Sequence, residues 1–324
     1  MYNLFDQYAV DYLDSMLSPI DNYISRETEV FLNMKIDGTP YLELLFRMAN
    51  KVFERKESGG MDRATASKIF ESLFLNCRGR VDGSLAPAMK MILGALSKMN
   101  EPVSQSHVLR VVASMLYYNP AQCLQVIESM SATSQLFQLL FRLLKDEKNC
   151  FKSLLDKKIV SLGLSSVIAL PLNQLPVSVR NVYASFVGEC VKILSRLHQH
   201  RQAIAQREEK EDDDEDAESD DGGVEIESRQ YDENEDAVTE EDQAYMKFLK
   251  DIQDQGYLED QEDEEEREDD PDHPVGHIEP FVFFHDALRA QDARVVKQAE
   301  NSLPPPMRQV LQQVVAFAAS VRTN

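Results

Sequence analysis

The chain has 324 residues, 43% of them hydrophobic, and a formal net charge of −22. That length admits two or three globular domains or one elongated array, and the apolar content suffices for a core. No run of about 18 apolar residues is present, so no segment reads as membrane-spanning. The opening MYNLFDQYAVDY lacks a basic stretch followed by an apolar one, so it is not expected to be a secretory signal, which leaves cytosol or nucleus.

Taken in order, residues 1–206 read as helix after helix. In TPYLELLFRMANKVFER, Thr39 is placed as N-cap and Pro40 at the first helical position. Leu42, Leu45, Phe46, Ala49, Val52 and Phe53 then recur on one helical face. After Gly59-Gly60, Asp62 is read as the cap of a helix with Ala66, Ile69, Phe70, Leu73 and Cys77 inward; Gly79 and Gly83 punctuate. Leu85, Met89, Ile92, Leu93 and Leu96 mark the next helix. Beyond Pro102 follow Val108, Val111, Val112 and Met115. Further helices are expected from Asn119-Pro120, from Ser134, from Phe151 to near Pro171, and from Ser178 through Leu197. Strand-type alternation is hard to find, and the region is all-α.

Pairing these helices places starts near Tyr2, Pro40, Ser84, Pro120 and Phe151, spaced by 38, 44, 36 and 31 residues. HEAT and armadillo units repeat at about 40–47 residues. The fold expected is therefore a HEAT/ARM-like α-solenoid of antiparallel helix pairs, each burying its seam on the next. A large up-down bundle is the competing architecture.

Charge is unevenly placed. Residues 208–272 hold 33 acidic and 5 basic side chains, a net of −28, which leaves 23 acidic against 29 basic elsewhere, or +6. Residues 207–280 are expected to be mostly disordered, because such a composition cannot offset the entropy of ordering. Within them, Tyr245, Phe248, Leu249 and Ile252 share one face of a short helix expected over 240–255. Residues 281–324 are expected to form two helices that pack back on the array as a C-terminal cap.

Motifs for catalysis are missing: no glycine-rich phosphate loop, no G-x-S-x-G and no H-E-x-x-H. No enzyme activity, cofactor or metal is expected. His198 with His200, and His273 with His277, do not read as metal pairs. Asp212, Asp214 and Asp216 match the first ligands of a calcium loop, but Ala217 and Gly223 stand where it needs Gly and Glu. Cys77, Cys123, Cys150 and Cys190 are scattered within apolar patterns and read as buried free thiols. Tyr117-Tyr118 is read as core rather than as a binding stripe. Arg78 and Arg80 of CRGR are either a basic contact point or the close of a helix at Gly79. Thr239 is either an N-cap or the target of an acid-directed kinase.

Several strings occur together in order: YLDSMLSPIDNYISRETEVFL, NCRGRVDG, SMLYYNPAQCLQVIESM and CFKSLLDKKIVSLGLSSVIALP, with the acidic block after them. Together they resemble the C-terminal part of importin-β superfamily nuclear transport receptors of the importin seven/eight type. The resemblance implies HEAT repeats that carry basic cargo, such as ribosomal proteins and histones, and contacts with nucleoporins and with importin β as co-receptor. It implies shuttling between cytoplasm and nucleus, with release by the Ran GTPase. The amino-terminal repeats that engage Ran have no counterpart in this chain, which is also shorter than such receptors. A carboxy-terminal part of a receptor, lacking the Ran switch by itself, is the expectation.

An acidic segment repels nucleic acid and anionic membrane and attracts basic proteins. No direct nucleic-acid or membrane partner is therefore expected. The residues expected to dock cargo are Glu211, Asp212, Asp213, Asp214, Glu215 and Asp216, together with Glu262, Asp263, Glu264, Glu265 and Glu266. The alternative function is a histone-chaperone-like or scaffold protein with no transport cycle.

Overall fold

The structure, a computed structural model, describes residues 2–8, 10–215 and 270–323. It divides into two units, one of Met1–His198 with Glu268–Asn324 and one of Gln199–Arg267. The first unit opens with α1 (Tyr2–Tyr8), α2 (Leu13–Arg26) and α3 (Thr28–Asn33). A hairpin of β1 (Lys35–Ile36) and β2 (Thr39–Pro40) follows. Then come α4 (Tyr41–Glu54), α5 (Gly60–Asn76), α6 (Leu85–Leu96), α7 (Pro102–Tyr118), α8 (Pro120–Ser129), α9 (Thr133–Leu143) and α10 (Leu154–Ile168). The short α11 (Val177–Arg180) precedes α12 (Tyr183–Glu215); after residue 270 stand α13 (Pro280–Arg289), α14 (Ala293–Ser302) and α15 (Pro305–Thr323).

The helices form two layers. In one, α2, α5, α7, α10 and α13 lie side by side in chain order; in the other, α1, α4, α6 and α8 do the same. Contacts of α4 with α5, α6 with α7, and α8 with α10 join the layers into successive helix pairs, a HEAT-like α-solenoid. The central helices have neighbours on both sides within their layer and above it. Accordingly α7 is buried at almost every position from Ser104 to Tyr118, and α10 from Leu155 to Ile168. Neither shows the single apolar stripe of a surface helix.

Local chemistry sets the boundaries, and several differ from the sequence expectation. Thr39 does not cap α4; it pairs with Ile36 in a two-residue hairpin ladder. Asp37 and Gly38 supply the turn with φ of +51° and +82°, the paired positive values that a tight hairpin turn requires. Asp62 sits inside the first turn of α5 and reaches back to accept from the Gly59 N–H at 2.6 Å. Phe151 has a φ of +55° and cannot start a helix. The cap of α10 is Ser153, whose Oγ accepts from Asp156 N at 2.9 Å while the Asp156 carboxylate accepts from Ser153 N at 3.3 Å. Asn119 caps α8 as expected, accepting from Gln122 N at 3.1 Å.

The pairing also needs one correction. α10 does not open a fifth pair at Phe151; it lies in the layer of α2, α5 and α7 and completes the pair begun by α8. α9 is an additional helix beside α7 and α8. Likewise the expected helix from Ser178 is two helices, α11 and α12.

Three C-terminal helices stand where two were expected, because the chain breaks between Arg289 and Ala293, where Asp292 caps a new helix by accepting from Arg294 N. They pack on the array through α13, which contacts both α10 and α15. Gln291, just past α13, donates from Nε2 to the carbonyls of Ile168 at 2.7 Å and Leu170 at 2.6 Å. These are carbonyls that the end of α10 leaves without helical partners. Among the described residues, no helix is long and apolar enough to cross a membrane.

Candidate functional site

The expected cargo-docking residues fall into two sets. Glu211, Asp212, Asp213, Asp214 and Glu215 form the last residues of α12, which therefore runs beyond the expected end of helical structure at residue 206. Arg207, Glu208, Glu209 and Lys210 are good helix formers, which accounts for the extension. Asp216 and Glu262–Glu266 lie outside the described residues, as do the expected helix over 240–255 and Thr239.

Five consecutive acidic residues at a helix C-terminus oppose the macrodipole, whose partial charge there is already negative. Like charges at helical spacing cost a further ~0.2–0.5 kcal/mol per pair.

Within the first unit, a buried ion network joins successive repeats. Arg110 of α7 donates from Nε to Glu71 Oε2 at 3.0 Å and from Nη2 to Glu71 Oε1 at 2.8 Å, a two-pronged grip on α5. Its Nη1 donates to Asp156 Oδ1 of α10 at 2.8 Å. Side-chain exposures of 4% for Arg110, 8% for Glu71 and 7% for Asp156 make this a desolvated network spanning three helix pairs. Sequence reasoning missed it. The available signal was a lone charge inside the apolar runs IFESLFL and VLRVVASML; in LLDKKIV, Asp156 is obscured by the two lysines that follow it.

Arg78 is not a free contact point. Its guanidinium lies 4.1 Å from the centre of the Tyr117 ring, and Nη1 donates to Tyr117 Oη at 2.6 Å. Nη2 reaches the Tyr117 carbonyl at 3.3 Å, so Arg78 serves the end of α7 rather than its own helix. Gly79, with φ of +74°, turns the chain away there. Arg80 pairs with Glu29 of α3 at 2.9 Å. Tyr118 accepts from Val81 N at 2.9 Å and donates to Asp82 Oδ1 at 2.8 Å. Burial, and then that bond to Asp82, push its hydroxyl up to about 12. The tyrosine pair is core.

All four cysteines are buried and free. Burial pushes the Cys77 thiol up to about 11 against the pull of Arg80, and Cys190 up to about 12 despite its hydrogen bond with Ser165. Such thiols stay protonated and poorly nucleophilic near neutrality. His198 meets Phe281 edge-on and Phe317 at a tilt, with ring centres 6.1 and 4.6 Å away, and those two rings also touch each other. Among the described residues, no group of three or more His, Cys, Asp or Glu could hold a metal ion.

The importin-11-like family of TPR repeats matches residues 4–300. A probable importin-7 homolog of Dictyostelium discoideum is 33% identical over 173 residues, 52% of this chain and 16% of that protein. An importin beta-like SAD2 homolog of Arabidopsis thaliana is 29% identical over 174 residues, covering 52% and 17%. Importin-8 of Homo sapiens is 26% identical over 204 residues, covering 61% and 19%. The chain thus matches less than a fifth of the length of these relatives. No solved structure matches it.

Proposed function

The chain belongs to the importin-11-like repeat family, of the importin-β type and related to importins 7 and 8, and from that membership we propose that it docks basic cargo for nuclear transport on residues 208–272. One observation carries the reading: a net of −28 on that segment beside +6 on all other residues. Charge of that density neutralises a Lys/Arg-rich surface and competes with nucleic acid for it. Attraction of this kind is long-ranged, accelerates encounter and weakens with salt.

The cargoes that fit are ribosomal proteins and histones. Nucleoporins and importin β are the further partners of such a role, which entails shuttling between cytoplasm and nucleus. Response to Ran is assigned to repeats outside this chain. The helical first unit acts as scaffold, with a transport role rather than a catalytic one.

The test is binding of a linker histone to the full chain across a salt series, with and without neutralisation of the acidic residues in 208–272 to Asn and Gln. Neutralisation is expected to remove most of the affinity and flatten the salt dependence. Unchanged binding would refute acidic docking. Binding that persists in the presence of the Ran-responsive part of a relative, with no effect of RanGTP, would favour a histone-chaperone-like role.

A further inference from the structure

We propose that the Arg26–Asp272 ion pair is a latch that a basic cargo opens, freeing the end of α2 from the stretch that leads into α13. Asp272 is the final acidic residue of 208–272, so the latch and the docking segment share a carboxylate. The inference rests on the cargo-docking reading and adds to it how the helical array responds.

One end of the device is fixed. Residues 270–278 fold into a knot of successive turns: His273 N donates to the Asp270 carbonyl at 3.0 Å, Gly276 N to that of His273 at 2.8 Å, and Ile278 N to that of Val275 at 3.0 Å. A Cβ at residue 276 would stand 1.9 Å from the Asp270 carbonyl oxygen, so only glycine fits the centre of the knot. Val275 is 1% exposed. Lys158 of α10 is itself buried, and its Nζ donates to the Gly276 carbonyl at 2.8 Å. A buried ammonium is costly to leave without such acceptors, so the knot stays on α10.

The other end is releasable. Arg26 closes α2, and its Nη2 donates to Asp272 Oδ2 at 3.2 Å, with the two side chains 68% and 79% exposed. Within the layer α5 and α7 stand between α2 and α10, at about 8–10 Å per packed helix. The stretch from Asp272 to Gly276 is folded back on itself and spans less than the ~14 Å of four extended residues. One small knot thus ties together two helices that have two others between them. An exposed ion pair contributes little and is screened by salt, whereas the Lys158 end is buried. A Lys/Arg-rich chain docked on 208–272 offers Asp272 many cations in place of one. The coupling is reciprocal: what weakens the latch strengthens cargo binding by the same factor.

The probe is a polylysine peptide, added to the full chain with spin labels at Asn22→Cys in α2 and His277→Cys in the knot, both exposed positions. The four native thiols are buried and stay unlabelled. At low salt, pulsed electron resonance is expected to give one narrow label-to-label distance in the free chain and a broader, longer distribution with peptide bound. Arg26→Gln should show the broad distribution without peptide and bind the peptide up to about fivefold more tightly. Arg322→Gln removes the same charge from the exposed pair with Asp286; it should keep the narrow distribution, and its affinity gives the part due to charge alone. Peptide binding that leaves the distances unchanged, or an Arg26→Gln chain with wild-type distances, would overturn the latch and leave acidic docking standing. A peptide that does not bind at all would refute the docking reading, and the opening of the latch by cargo with it.

Discussion

Gly163 of α10 lies against the backbone of Ala113 of α7, so close that a Cβ at residue 163 would stand 2.5 Å from the Ala113 carbonyl oxygen. The obstacle is backbone of a buried helix, which cannot swing aside like a side-chain tip. Glycine in a helix interior is intrinsically unfavourable by roughly 0.5–1 kcal/mol, yet here it sets the distance between two central helices. Gly163→Ala should therefore destabilise the chain by about 1–3 kcal/mol despite alanine's better helix propensity, and Gly163→Val by more. Urea denaturation followed by circular dichroism measures both. A stabilised Gly163→Ala variant would contradict this account of the α7–α10 approach.

The Arg110 network supports a second prediction. Removing one member of a buried ion network leaves uncompensated charge and costs about 3–5 kcal/mol. Arg110→Ala should lose that much, because the Glu71 and Asp156 carboxylates would face each other without their shared cation. The triple change Arg110→Met, Glu71→Leu and Asp156→Asn should be much milder than Arg110→Ala. Equal losses would mean that packing, and not stranded charge, dominates the site.

Alkaline pH gives a third. Cys77 and Cys190 have folded-state pKa values raised to about 11 and about 12, and Tyr118 to about 12, above their ordinary values of 9.0 and 10.0. A group raised in the folded state binds its proton more tightly there than in the unfolded chain. Its contribution is thus whole below the unfolded pKa and is lost as pH rises through the folded one. Stability should hold up to about pH 9 and fall progressively toward about pH 12. Cys77→Ala should remove part of that slope. At neutral pH, native chain should react with a thiol reagent only at the rate of transient opening.

The end of α12 supplies the fourth. Replacing Asp212, Asp213 and Asp214 with Gln removes like-charge pairs and the clash with the macrodipole, each a matter of ~0.2–1 kcal/mol. Helicity should rise, and amide exchange at 205–215 should slow. Adding a polylysine peptide to the wild-type chain should slow the same amides, and high salt should cancel that effect. Faster exchange in the Gln variant would rule out charge repulsion as the limit on this helix end.

Legibility followed the physics of each feature. Helices with an unambiguous apolar period or a proline start, such as α6, α7 and α8, were readable because those signals are local. The hairpin was not, since two residues per strand leave no alternation to detect; only the Asp37-Gly38 pair marks it. The role of α10 in the pairing was also hidden. A helix buried all round carries no stripe that says which neighbour it faces, and α9 disturbed the spacing. The expected docking residues were legible as composition alone, and the partners of Arg78 and Arg110 were not legible at all, since they come from segments tens of residues away.

By itself, then, the amino-acid sequence determined the helical class, the repeat-like array, the family and the concentration of negative charge in 208–272. All of these depend on local periodicity, order and composition. Only the tertiary structure decided that α10 completes the α8 pair and that Arg110 locks three pairs through Glu71 and Asp156. Those outcomes depend on which helix faces come together, and a buried helix satisfies its own apolar pattern equally well with any neighbour of the right shape.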